Sequence, residues 1–123
     1  MFLPVHVVLP LVEAGKLRML AAGGAQRASA TPNVPSLAEA AGVRDVDTDI
    51  WYALYAPAGT PRDIIAKLSV EVNRLLKDPA TIDTLTKQGL QPTGGSPDDL
   101  AKLTKTDLDR WTKVIRDAKI QPD

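Results

Sequence analysis

The 123 residues carry 15 lysines and arginines against 15 aspartates and glutamates, with 44% hydrophobic residues, a single histidine and no cysteine. That length suits one domain or part of a larger one, and that apolar share is enough for a folded core. The balanced, interspersed charge leaves no basic stripe for nucleic acid and no polybasic cluster for a membrane surface. The lack of cysteine excludes disulfides, thiol catalysis and thiolate-ligated metal.

In chain order, residues 1–12 are almost wholly apolar, with His6 as the one polar interruption before Glu13. The run is too short for a membrane span and lacks the basic leader and cleavage site of an export signal. It reads either as a buried strand or helix of this domain or as the cut end of a longer chain, and the cut end is the expectation. Residues 10–14 predict a helical turn closed by Gly15. Residues 16–22 (K-L-R-M-L-A-A) predict a strand, with apolar residues at both parities, as in a parallel sheet covered on both faces. Gly23-Gly24 ends it, and residues 25–33 form a polar loop. Ser36 and Glu39 make a capping box for a brief helix closed by Gly42. Residues 46–55, rich in β-branched and aromatic side chains, predict a second strand.

Pro57 and Gly59 stop that strand, and Thr60-Pro61 opens a helix with Thr60 as the cap and proline where its missing N–H is harmless. Ile64, Ile65, Leu68, Val72, Leu75 and Leu76 fall on one face of that helix, expected over residues 61–77. Asp78-Pro79 opens another, running to Gln88 with Gly89 as its cap. An extended piece at 90–93 and Gly94-Gly95 precede the last helix, opened by Ser96-Pro97. There Leu100, Leu103, Leu108, Trp111, Val114, Ile115 and Ala118 are expected on the buried side. The even spacing of the three X-Pro helix starts reflects shared capping chemistry rather than a repeat, because the segments between them differ in length and pattern.

Candidate chemistry is sparse. His6 sits in an apolar run with no carboxylate at helical spacing, which points to a structural histidine. No nucleophile elbow, metalloprotease motif, P-loop or dinucleotide fingerprint occurs. Asp45, Asp47 and Asp49 would share one face of a strand, as a Ca²⁺ site or, given their mutual repulsion, as a solvated strand entry. Asp98-Asp99 complements the dipole of the last helix. Trp51 and Tyr55 would share one strand face with Tyr52 on the other, a set that either packs in the core or lines a small-molecule cleft. Ala58-Gly59-Thr60 at a helix start presents backbone N–H groups suited to a carboxylate. The candidate ligand-binding set is therefore Trp51, Tyr52, Gly59 and Thr60, with no catalytic residue, metal or cofactor.

Three blocks in order carry a family resemblance. The first is G-K-L-R-M-L-A at 15–21, followed by Arg27 and V-P-S-L-A-E-A at 34–40. The second is W-Y-A-L-Y-A-P-A-G-T-P at 51–61. The third is P-T-G-G-S-P-D-D-L at 92–100, continuing to W-T-K-V-I-R-D-A-K-I at 111–120. Together they resemble the C-terminal part of the tripartite tricarboxylate transporter substrate-binding proteins, the Bug family of bacterial solute receptors. Two departures stand out: Leu3 where members often carry an aspartate, and one alanine more at Ala40-Ala41 than the usual pattern.

The resemblance implies somewhat over a third of an α/β, periplasmic-binding-protein-like (Venus flytrap) fold, with few strands, several flanking helices and a mostly helical C-terminal half. Residues 1–46 would end the second lobe, and 47–123 would supply the crossing strand and C-terminal helices of the first. The implied function is non-enzymatic capture of a small carboxylate by cleft closure, then delivery to membrane permease subunits. The alternative is a truncated remnant that oligomerises or binds a partner through exposed apolar faces. The family is periplasmic; the absence of an export signal would leave the chain cytoplasmic if Met1 is the true start.

Overall fold

The computed structural model describes residues 1–24, 26–43 and 48–121. Among the described residues five helices are formed: α1 (Val5–Glu13), α2 (Leu37–Ala41), α3 (Arg62–Leu75), α4 (Pro79–Lys87) and α5 (Pro97–Asp117). The chain divides into two compact units, one of Met1–Leu54 with Arg74–Thr93 and the other of Tyr55–Asn73 with Gly94–Asp123.

The starts of α2, α4 and α5 follow their capping chemistry, whereas α1 begins after Pro4 with no side-chain cap. Ser36 accepts from the Glu39 N–H while the Glu39 carboxylate accepts from the Ser36 N–H, completing the reciprocal box ahead of α2. Asp78 caps α4 through the Thr81 N–H, with Pro79 as the first helical residue. Ser96 and Asp99 form a second reciprocal box at α5, so Asp99 bonds the chain entry as well as complementing the dipole.

Three helix ends share one closing pattern. After α1 the N–H groups of Gly15 and Lys16 bond Val12 and Leu11, and after α4 those of Gly89 and Leu90 bond Thr86 and Leu85. After α5 those of Lys119 and Ile120 bond Arg116 and Ile115, so all three are Schellman closures. Lys119 holds the left-handed position with φ 53, the one non-glycine described there. An L side chain in that region costs about 1–2 kcal/mol. Lys119→Gly is accordingly expected to stabilise the chain by ~1 kcal/mol in a denaturant melt, after the larger unfolded-state entropy of glycine is subtracted.

Two sequence expectations are corrected here. The apolar start forms the nine-residue α1 rather than a turn confined to residues 10–14, and Pro10 lies inside it. Proline there removes one N–H, and the rest of the helix runs past it because Val8 and Leu9 are buried on its inner face. The strands expected at 16–22 and 46–55 are not assigned among the described residues. Pairing is confined to one parallel bridge, Ala22 with Ser36, built from the Ala22 N–H on Pro35 and the Leu37 N–H on Ala22. A strand exists only with a ladder partner, whatever its own side-chain pattern. The start of the second expected strand, and Asp45 and Asp47 with it, lies outside the described residues.

The bridge sits at the best-buried part of unit one. Ala22 is buried and Ser36 is only 2% exposed. The loop before α2 is strapped over it by Arg27, which donates to both Glu39 oxygens (3.2 and 2.9 Å) and to the Pro32 carbonyl. Arg27 and the Ser36 backbone N–H together hold the Glu39 carboxyl below its ordinary range.

In unit two the expected apolar stripes form but are not buried. Leu68 on α3 is 53% exposed and Leu108 on α5 is 65% exposed, and neither helix has a fully buried residue. Trp111, expected on the buried side, is 40% exposed with the Arg110 guanidinium over its ring. The opposite face of α5 is a solvated row of i,i+4 pairs, Lys105 with Asp109 and Lys113 with Asp117.

Candidate functional site

Two glycines set the position of the Trp51 segment in unit one. The backbone of Gly23 accepts from both the N–H and the hydroxyl of Thr48. A Cβ on Gly23 would overlap Thr48 Oγ1, and one on Gly24 would stand 2.8 Å from both Asp49 carboxylate oxygens. Side chains at 23 and 24 would therefore push this segment away, which is the close backbone approach that a glycine pair permits.

Beyond Asp49 no regular element is assigned before α3, and the aromatic side chains are exposed. Tyr52 is 65% exposed, and Trp51 is exposed as well. The Tyr52 hydroxyl lies 3.0 Å from His6 Nε2 on α1, and the two rings meet edge to face with centroids 5.4 Å apart. His6 is thus structural in its packing, as expected, and it is also the polar partner of a candidate site residue. That pairing spans 46 positions and has no sequence signature.

Gly59 and Thr60 belong to unit two. The Thr60 N–H and hydroxyl both donate to the Pro57 carbonyl, at 3.2 and 2.8 Å, closing a tight turn. Gly59 holds φ +84 at the third position of that turn, where an L side chain is strained. The Thr60 hydroxyl proton is therefore spent on the turn. Tyr55, expected to share a face with Trp51, lies in unit two, whereas Trp51 lies in unit one. Its hydroxyl donates to Thr104 Oγ1 at 2.8 Å, and Thr104 in turn donates to the Leu100 carbonyl.

Asn73 is a structural residue that sequence reasoning missed. Its amide donates to the Gly95 carbonyl at 2.8 Å and accepts from the Gly95 N–H at 2.9 Å, and it also donates to Ser69. A half-buried asparagine inside a helix was the available signal, since such a side chain is costly there without a partner.

Asp78, Asp99 and Asp117 are also held below the ordinary carboxylate range. The causes are the Thr81 N–H, the Ser96 hydroxyl and the Lys113 ammonium respectively. These are capping and ion-pair groups, so the lowered values carry helix-end stability rather than acid–base chemistry. No group of three His, Asp or Glu side chains among the described residues could hold a metal ion. No described helix is long and apolar enough to cross a membrane. The depression over Ala80, Thr81, Thr84 and Leu85 is the face of a single helix, and its two threonine hydroxyls are bonded to Asp78 and Ala80.

The family model for the tripartite tricarboxylate transporter family receptor matches residues 1–120. The chain belongs to that family. Among curated relatives, a protein of the tcbD–tcbE intergenic region of Pseudomonas sp. strain P51 is 35% identical over 83% of this chain and 30% of its own length. Protein BugT of Bordetella pertussis is 32% identical over 89% of this chain and 33% of its own.

Among solved structures, R. palustris Rpa4515 with adipate superposes on 97% of the chain and 40% of its own, with TM-score 0.88 and 35% identity. A periplasmic transporter structure covers 97% and 39%, with TM-score 0.86 and 36% identity. The chain thus spans about a third of the two relatives' lengths. The family is one of receptors rather than enzymes. The expected partial periplasmic-binding-protein-like fold, with few strands and a helical C-terminal half, is the fold found.

Proposed function

We propose that this family member serves in the capture of a small carboxylate-bearing solute at the periplasmic face of a tripartite tricarboxylate-type transporter. The observation that carries this is the superposition of 97% of the chain on a receptor solved with adipate. On this reading Trp51 and Tyr52 of unit one supply an apolar and hydrogen-bonding wall to the solute. Residues 1–46 belong to the second lobe, and 47–123 to the crossing segment and first-lobe helices. The captured solute passes to membrane permease subunits.

A melt of the chain with and without di- and tricarboxylates tests this. A solute that binds only the folded state raises the midpoint, by about 2.7 kcal/mol of stabilisation at a hundredfold excess over Kd. A rise with a dicarboxylate such as adipate is expected, and a cooperative melt unmoved by the whole panel would overturn the reading. A second reading, self-association or partner binding, is favoured by the exposed apolar residues Leu68, Leu108 and Ile115. Sedimentation separates the two, because a concentration-independent monomer contradicts self-association.

A further inference from the structure

We infer that His6 sets the hydrogen-bond polarity of Tyr52, so that a bound carboxylate selects the state in which Tyr52 offers its proton outward. This rests on the receptor reading above and assigns to the α1 histidine a positioning role in solute recognition.

The argument starts from an apparent redundancy. A tyrosine 65% exposed can give its hydroxyl proton to water and needs no protein partner to fold. Its oxygen nevertheless sits 3.0 Å from His6 Nε2, with the imidazole edge to face against the phenol ring. The backbone that carries the half-buried His6 is closely seated. A Cβ on Gly89 would meet Val5 Cγ1 at 3.0 Å and the His6 backbone nitrogen at 3.4 Å, so the loop after α4 seats directly on this turn of α1. The first turn of α1 and the Tyr52 hydroxyl are thereby held together within one unit.

Two arrangements of the neutral imidazole satisfy that bond. With its proton on Nδ1, His6 accepts from Tyr52, and the phenol oxygen turns only lone pairs outward, which repel a carboxylate. With its proton on Nε2, His6 donates to the Tyr52 oxygen, and the phenol proton is free for the solute. Carboxylate binding therefore favours the second form: a His6 in the first form gains a proton on Nε2 from solvent and returns one from Nδ1, and Tyr52 keeps its own. The net charge of the pair is unchanged. A phenol whose oxygen already accepts a hydrogen bond is also the better donor, since bonds in a chain polarise one another.

The test is nitrogen NMR of the full chain labelled at histidine, titrated with adipate, alongside calorimetric affinities. The expected result is that Nε2 moves from the bare to the protonated signal as adipate binds, and that Tyr52→Phe abolishes this movement. Tyr52→Phe should weaken adipate roughly tenfold, as loss of a charge-assisted bond does, His6→Phe should weaken it less, through loss of the polarising Nε2 donor, and the double variant should be no weaker than Tyr52→Phe. His6→Gln, whose amide N–H can still donate to the phenol oxygen, should recover much of the affinity and covers the case in which His6→Phe does not fold. Adipate binding that leaves Nε2 unmoved, or that is unaltered in both His6 variants, overturns the inference and leaves the receptor reading intact. A folded parent chain that binds no adipate overturns both.

Discussion

Gly89→Ala is expected to destabilise the chain by about 2–3 kcal/mol. The residue holds φ +78 in the closure of α4, which costs an L side chain about 1–2 kcal/mol by itself. The added methyl would also stand 3.0 Å from Val5 Cγ1, a valine branch with little rotamer freedom, so α1 must shift. Gly59→Ala is the internal control. Its φ is +84 but nothing lies within 4 Å of the added carbon, so it should lose only the backbone contribution, about 1–2 kcal/mol. Denaturant midpoints of the two variants at constant m-value read the difference. Equal losses would show that the seating of the post-α4 loop on α1 contributes nothing.

Asn73→Ala should cost about 1–3 kcal/mol and free the loop before α5. Three hydrogen bonds leave with the amide, two of them forming a closed ring with the backbone of Gly95. Gly95 holds φ 143, in a region almost exclusive to glycine, and Asn73 bonds both of its backbone polar groups. Asn73→Asp sharpens the test. A carboxylate can still accept from the Gly95 N–H but opposes the carbonyls of Gly95 and Ser69, so it should recover only part of the loss. Hydrogen exchange at Gly95 reads the clamp directly, and protection unchanged in Asn73→Ala would contradict it.

The legible and illegible parts of this chain separate by range of interaction. Helix boundaries were readable because their determinants are local. Ser36 with Glu39, Asp78 with Pro79, and Ser96 with Pro97 announce starts, and Gly89 announces an end, within four residues of the event. Block order and spacing were enough to give the family. The expected strands were not a local matter. Residues 16–22 and 48–55 have the side chains of strands, but a ladder depends on a partner segment, and only Ala22 finds one among the described residues.

The same limit applied to burial. The stripes on α3 and α5 have the right helical period, yet period says which face is apolar and not whether anything covers it, so Leu68 and Leu108 were expected inside and lie exposed. The hydrogen-bonded pairs His6 with Tyr52 and Asn73 with Gly95 join residues 46 and 22 positions apart, and no periodicity reports such a contact. For the candidate site, the sequence pointed to the aromatic segment and the Gly59 turn. It did not reveal that the Thr60 hydroxyl is turned back to Pro57, or that Tyr52 has a histidine behind it.

A calorimetric titration of the chain with adipate, repeated with Trp51→Ala, tests solute capture most directly. The expected result is saturable heat at one adipate per chain, weakened at least tenfold when the Trp51 wall is removed, a loss of ~1.4 kcal/mol or more. The contradicting result is a chain that melts cooperatively and gives no saturable heat with adipate, or one whose affinity is indifferent to Trp51.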